Sequence, residues 1–357
     1  MILGWTVKQG CNIFDINTPD LTSILPILGT VGLILIVLEG SLELELNMSK
    51  LYFVGKTSLV ALLPMILFSF LLAYAFKYFG NTTFKVGLAN AIPFAVISSA
   101  IAIPSVQNLI PKNKEFITYE SSLSDIFGVV FFNFITLNDN IGTSSVGHFI
   151  LELTVILIVT FIATLTLAFL LSKIKHHVKF VPIILMIILI YGASKIYHLP
   201  ALIFILLFGI FLGNIDELKN IKLIQQLKPD ILNKEVHKFK DLVTEIAFLI
   251  RSLFFLLFGF LIQTEELLNA ATIFWAIGIT ITIFIIRYVF LKLFKLSIKP
   301  IIFIAPRGLI TILLFLTIPV SQAINLANKS LIIQVITLTA LVMMIGLMTN
   351  KKTSTTS

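Results

Sequence analysis

Two acids stand in the apolar segment Glu120-Ser-Ser-Leu-Ser-Asp-Ile-Phe-Gly-Val-Val-Phe-Phe132. The run from Phe116 to about Leu137 around them is long enough to cross a bilayer, which takes roughly 20 apolar residues. Asp125 falls near its middle, where an ionised carboxylate costs about 2.5–3.5 kcal/mol on insertion scales. Acids kept at that depth face a bundle interior or a water-filled cavity and mark ion or proton paths. Ser121 and Asp125 are i, i+4 and share a helix face, with Ser124 adjacent. One carboxylate with two hydroxyls is an oxygen ligand set suited to a hard monovalent cation or a proton. The plainer reading is that Asp125 hydrogen-bonds another helix and does no more. Glu120 lies on a neighbouring face and needs its own partner.

Other polar residues sit at similar depth. Ala91-Ile-Pro-Phe-Ala-Val-Ile-Ser-Ser-Ala-Ile-Ala-Ile-Pro104 carries Ser98 and Ser99 between two prolines. Proline removes a backbone donor and frees carbonyls. Either the helix breaks and offers carbonyls and half-helix ends to an ion, or it bends at an ordinary proline kink. A second interruption, Ala305-Pro306-Arg307-Gly308-Leu309, is similar, and interrupted helices in corresponding halves of a chain point to a binding site. Arg287, in Ile286-Arg-Tyr-Val, needs an acid at its depth, and Glu120 is the candidate. Arg251 is read as reaching the membrane surface by snorkelling. Glu39 either lines an inner funnel or pairs with a lysine; Glu43 and Glu45 are interfacial.

Composition sets the class. The chain has 357 residues, 58% hydrophobic and 12% charged, with mean hydropathy +1.04. Soluble domains are about 45–50% apolar and about 25% charged, so this is a polytopic membrane protein of all-α class. The single cysteine, Cys11, excludes an internal disulfide framework and a multi-cysteine metal site. The histidines do not cluster with acids, and His176-His177 read as solvated surface. No cofactor is expected. The net charge of +8 is explained by topology rather than by nucleic acid, because the lysines sit in short loops between apolar runs.

About eleven spanning segments are expected: 22–46, 53–79, 86–110, 116–137, 147–172, 179–197, 199–213, 242–262, 269–295, 300–319 and 329–349. A break at Leu199-Pro200 separates the sixth from the seventh. Residues 1–21 resemble the end of an earlier helix with an outer loop, residues 22–349 form the transmembrane domain, and 350–357 are a short tail. The long loop 214–241 reads as amphipathic surface helix, with Ile221, Ile224 and Leu227 on one side and Pro229 dividing it. If the first span runs inward, eighteen lysines fall on the inner side, against five (Lys8, Lys77, Lys85, Lys195 and Lys329) on the outer. The positive-inside rule then gives an N-terminus outside and a C-terminus inside.

At this point the pattern resembles the monovalent cation:proton antiporters of the sodium/hydrogen exchanger superfamily. Ile34-Leu-Ile-Val-Leu-Glu-Gly-Ser-Leu-Glu-Leu-Glu-Leu46 is similar to the family's LLLFEGGLELDL segment. Glu120-Ser-Ser-Leu-Ser-Asp125 is similar to its ES-L-ND ion-binding motif, Phe254-Phe-Leu-Leu-Phe-Gly259 to FFVLIG, and Pro306-Arg-Gly-Leu309 to PRGL. The resemblance implies two inverted repeats of six helices, a core with two crossing broken helices, and a homodimer in the plasma (inner) membrane lipid. It implies exchange of Na+ or K+ for H+, with Asp125 as transport carboxylate and Ser121 as cation ligand. It also implies that Glu120 pairs with Arg287 and that Arg307 and Pro306 stand in the second broken helix, opposite Pro104 and the Ser98-Ser99 ligands of the first. The sequence departs from the family in three places. The usual Thr-Asp-Pro of the first broken helix is Ser98-Ser99, with no acid. Ser124 replaces the usual Asn or Asp. About two helices are absent at the start, with Met1-Ile-Leu-Gly-Trp matching the end of a second helix.

Three function classes follow. The first is a secondary antiporter in which one carboxylate holds either a proton or a cation. The second is a truncated or degenerate member that senses or assists without transport, favoured by the missing acid. The third is a membrane enzyme, disfavoured because the loop acids Asp216, Glu217, Asp230, Glu235 and Asp241 interleave with lysines, as on a solvated face.

Overall fold

In lipid a backbone must satisfy its own hydrogen bonds, and for single segments the helix is the way to do so. Helix accounts for the regular structure among the described residues. The computed structural model describes the chain except residues 18–19, 45–49, 139–142, 175–178, 198, 200, 220–224, 226–228 and 351–357. Helices of seven residues or more are α1 Ile2–Ile13, α2 Ile24–Glu43, α3 Leu51–Phe79, α4 Phe84–Ala95, α5 Ser99–Ser105, α6 Pro111–Leu137, α7 Thr143–Lys173, α8 Phe180–Ile196, α9 Ala201–Gly213, α10 Pro229–Phe260, α11 Ala270–Leu293, α12 Leu309–Leu316 and α13 Lys329–Thr349.

Each of the eleven expected segments contains helix. Among the described residues, seven stretches are long and apolar enough to cross a membrane: Ile24–Glu43, Tyr52–Phe79, Phe84–Ser105, Phe149–Lys173, Leu232–Phe260, Ala270–Leu293 and Lys329–Thr349. α8 and α9 are apolar but shorter. Side-chain caps mark several starts, as expected for Thr and Asn. Thr83 Oγ1 accepts from Val86 N at 3.3 Å, Asn269 Oδ1 from Ala271 N at 3.0 Å, and Asn328 Oδ1 from Leu331 N at 3.0 Å.

One boundary differs from expectation. The polar stretch after Pro229 is not a separate surface helix; it is the first part of α10, a helix of 32 residues. Pro229 is its first residue, where a fixed φ and a missing N–H cost the helix nothing. The sequence hid this because polar residues fill the first turns. Ile221, Ile224, Leu227, His176, His177, Glu45, Pro200 and the tail beyond Asn350 lie outside the described residues.

The chain forms two compact units, Met1–Gly29 with Val54–Leu137 and Ser252–Ser357, and Thr30–Phe53 with Asn138–Arg251. In the first, α4 and α5 pack on α6, α12 on α4, and α11 along α13. In the second, α7, α8 and α9 pack together. There α9 also approaches α2 closely, because Gly209 presents no side chain to Ser41, whose Cβ stands 2.7 Å from where a glycine Cβ would fall. Everything in the site below belongs to the first unit.

Candidate functional site

The segment carrying Ser98-Ser99 is a true break rather than a kink. α4 ends at Ala95, residues 96–98 are extended, and α5 begins at Ser99. Pro93 and Pro104 lie inside the two half-helices rather than at the gap. A second non-helical stretch, residues 304–308, precedes α12. The two stretches cross where Ser98 N donates to the Pro306 carbonyl at 2.9 Å. The approach is tight. A Cβ on Gly308 would stand 2.7 Å from Ile101 Cδ1 and 2.9 Å from Ser98 Oγ. Gly128 on α6 likewise leaves room for the Val96 side chain, whose Cβ stands 3.3 Å from the Gly128 Cβ position.

A buried backbone polar group must find a partner, and the amides of Ile97, Ser98 and Ser99 do. Ile97 N donates to Ser124 Oγ at 2.9 Å. Ser99 N donates to Asp125 Oδ2 at 3.2 Å, and the Ser99 hydroxyl bonds the same oxygen. The carbonyls that end α4 are taken by one side chain. Arg307 Nε donates to Phe94 O at 2.7 Å and Nη2 to Ala95 O at 3.0 Å, while Nη1 holds Ala305 O at 2.8 Å. Arg307 N in turn donates to Thr339 Oγ1 on α13 at 3.1 Å.

The gap is therefore polarised. A guanidinium caps the helix end whose carbonyls point out, and a carboxylate faces the start of the next half-helix, where amides point out. Both placements match the sign of the helix dipole. Of the carbonyls freed at the first break, those of Phe94 and Ala95 are taken by a side chain of this protein. They face Arg307, whose five donors in a planar fork can serve several carbonyls at once.

Asp125 is buried, 1% exposed. Its Oδ1 has no hydrogen-bond partner among the described residues, and neither has the buried Ser98 Oγ. The other hydroxyls expected as ligands are engaged. Ser99 is bonded to Asp125. Ser124 accepts from Ile97. Ser121 donates to the Ile117 carbonyl at 2.7 Å within its own helix, which leaves its lone pairs as its remaining capacity. Pro306 stands at the crossing and is buried, whereas Pro104 is exposed near the far end of α5; Pro104 is not part of the site.

Glu120 and Arg287 meet in a two-pronged pair, Nη1–Oε1 and Nη2–Oε2 both 2.8 Å. Arg287 Nε donates to Ile301 O at 3.0 Å, tying α11 to the second break. The pair is nearly dry, with the side chains 6% and 1% exposed. Removing one partner of such a pair leaves a buried charge and costs about 3–5 kcal/mol, whereas replacing both with apolar residues is often neutral. Glu120→Gln is expected to lower the melting temperature sharply, and Glu120→Leu/Arg287→Met to recover most of the loss. A double variant as unstable as the single would show that Arg287 acts through Ile301 instead.

Gly308→Val would drive its side chain into Ser98 and Ile101. Overpacking of this kind costs about 1–3 kcal/mol. The expected result is a lowered melting temperature, with Gly308→Ala intermediate; an unchanged scan for both would mean that the crossing opens freely.

In the second unit, Glu39 pairs with Arg251, Oε2–Nη2 3.6 Å, and both are buried. Arg251 does not snorkel, and among the described residues it is the ion-pair partner of Glu39. Distance from the membrane surface suggested exposure; a buried acid beside it overrides that. Glu43 lies 3.9 Å from Lys240, and Glu235 lies 2.8 Å from Lys179.

Sequence reasoning did not single out Thr339 or Asn90. Thr339 lies in an ordinary apolar helix and gives no signal. Asn90 Nδ2 donates to Val86 O at 2.8 Å and to Gln322 O at 2.6 Å; an asparagine inside an apolar helix was the available signal.

Two interrupted helices crossing inside an all-helical bundle, with a buried carboxylate at the crossing, define a membrane transporter of the discontinuous-helix kind. The chain belongs to the sodium/hydrogen exchanger family, whose transmembrane profile matches residues 1–351. Its fold is similar to that of the sodium proton antiporter MjNhaP1 from Methanocaldococcus jannaschii. Against the structure at pH 8 the TM-score is 0.61 with 18% identity, covering 98% of this chain and 94% of that one. Against an electron-microscopy map of the same antiporter it is 0.60 with 16% identity, covering 98% and 93%. No curated protein matches the chain.

Proposed function

We propose that the protein exchanges a monovalent cation, Na+ or K+, for H+ by competition at Asp125, with the core alternating its access between the two sides of the membrane. The observation that carries this is the pair of buried, unpartnered oxygens, Asp125 Oδ1 and Ser98 Oγ, at the crossing of the two broken helices. A dehydrated cation would be held by Asp125 Oδ1 and Ser98 Oγ, with Ser121 and the Ser99 oxygen as further donors. A proton on Asp125 removes the charge that holds the cation. Ser99, Ser124 and Arg307 hold the gap open around it, and the Glu120–Arg287 pair fastens α6 to α11.

The test is a pH-sensitive dye in proteoliposomes of the full chain, challenged with sodium and then potassium. A proton signal with either cation supports the reading and names the cation; no signal with either, in protein shown to be inserted, overturns it in favour of a family member that does not transport. Competition also fixes a sign. Raising pH removes the proton that competes, so the apparent KM for the cation should fall as pH rises. A KM independent of pH from 6 to 9 would mean that proton and cation use separate sites.

The same reading places the chain in the plasma membrane as a homodimer, N-terminus outside and C-terminus inside, as the lysine distribution and the family resemblance imply. Cys11 is the single thiol and is partly exposed. A membrane-impermeant maleimide should label it in intact cells without permeabilisation; labelling only after permeabilisation would reverse the orientation.

A further inference from the structure

Away from the site, a groove of about 880 Å³ opens in the first unit where several elements end. The loop after α5, the start of α6 and the end of α13 meet there, and Lys299 and Pro300 close one side. The loop that carries Lys299 is tied to α6 by a hydrogen bond from Ser297 Oγ to Asn113 Oδ1 at 3.3 Å.

The walls combine two chemistries. Ile110, Met344 and Met348 are 53%, 49% and 68% exposed. Beside them stand Lys299 and Asn108, and among the described residues no acidic side chain lines the groove. Lys299 is exposed and forms no ion pair with a described residue. Lys112, just before the lining residue Asn113, and Lys295, in the same loop as Lys299, are exposed as well. Apolar helices end at the membrane interface, so the groove lies at the depth of lipid headgroups. Basic pockets between transmembrane helices at that depth take anionic headgroups. Methionine is flexible and polarizable and adapts to an irregular apolar ligand.

We propose that this groove binds an anionic phospholipid. Its phosphate sits at Lys299 and Asn108, and its acyl chains lie along Ile110, Met344 and Met348. Charge argues for the headgroup, and the exposed methionines argue for a lipid rather than free phosphate, which has no use for an apolar wall. The groove does not include Asp125 or either broken-helix gap, so the proposal stands whatever the ion exchanged.

The experiment is native mass spectrometry of the purified full chain in detergent with added phosphatidylglycerol. Phosphatidylcholine of the same acyl chains and glycerol phosphate are run in parallel. Lys299→Gln and Met344→Gln/Met348→Gln each remove one half of the groove, and Lys77→Gln, at an exposed lysine near the end of α3, is the control. Lys299→Gln is expected to retain about five-fold less phosphatidylglycerol, the effect of roughly 1 kcal/mol per lysine. The methionine variant should fall comparably and the control should not. Wild type should keep phosphatidylcholine poorly and glycerol phosphate not at all. The proposal is overturned if both groove variants keep the lipid as wild type does, which would mean unspecific annular attraction. It is overturned equally if glycerol phosphate is retained as well as the lipid, which would mean a free-phosphate site.

Discussion

Asp125→Asn is expected to abolish cation-dependent proton movement in proteoliposomes while the protein still inserts and elutes as a single species. The substitution keeps the size of the side chain and an oxygen for the Ser99 amide and hydroxyl to bond, so the gap between α4 and α5 retains its shape. What it removes is the charge. A unit charge and a monovalent cation 4 Å apart attract by about 4 kcal/mol at an effective dielectric constant of 20, which is about three decades in affinity. It also removes the group on which proton and cation compete, so coupling is lost together with binding. The measurement is the initial rate of dye response in matched proteoliposomes. Retained exchange would assign the carrier carboxylate elsewhere, and since Glu120 is held by Arg287, the described residues of the first unit offer no other buried carboxylate outside an ion pair.

Arg307→Ala is expected to be the most damaging substitution for the fold. The guanidinium serves the Phe94, Ala95 and Ala305 carbonyls at once, and it is 3% exposed. Its loss leaves three buried acceptors, each worth about 1–3 kcal/mol when unsatisfied, or roughly 3–9 kcal/mol together. That is a large share of a typical stability of about 5–15 kcal/mol. Arg307→Lys keeps the charge, but a point-like ammonium lacks the planar fork, so it should rescue only in part. The expected readout is low yield and aggregation in detergent for the alanine variant, with the lysine variant between it and wild type. A lysine variant equal to wild type would show that charge at the end of α4 matters and the fork does not. Thr339→Val removes one hydrogen bond to the Arg307 amide and should cost about 0.5–1.5 kcal/mol, a smaller shift on the same scan.

Local chemistry determined a good deal without any fold. Apolar runs of spanning length can only be helices in lipid, so the placing of the helical segments followed from hydropathy. The cost of a buried charge made Asp125 a site candidate. The same cost linked Glu120 to Arg287, because two opposite charges at membrane depth each need the other. Thr83, Asn269 and Asn328 start helices for reasons readable within three residues of each.

What the sequence did not decide was which partner each polar group takes when many are in reach. Ser98, Ser99, Ser121 and Ser124 are alike in a string of letters. Only the crossing of residues 96–98 with 304–308 separates them, sending Ser124 to a backbone amide, Ser99 to the carboxylate and Ser121 to its own helix, and leaving Ser98 free at the crossing. That Arg307 caps the end of α4 follows from contacts over more than 200 residues of chain. Arg251 read as surface because depth was judged along the sequence, while its burial against Glu39 is a matter of how helices pack. Hydropathy and charge act on each residue against its solvent, and so can be read one segment at a time. Hydrogen-bond partnership is a competition among neighbours, and only the tertiary structure says who the neighbours are.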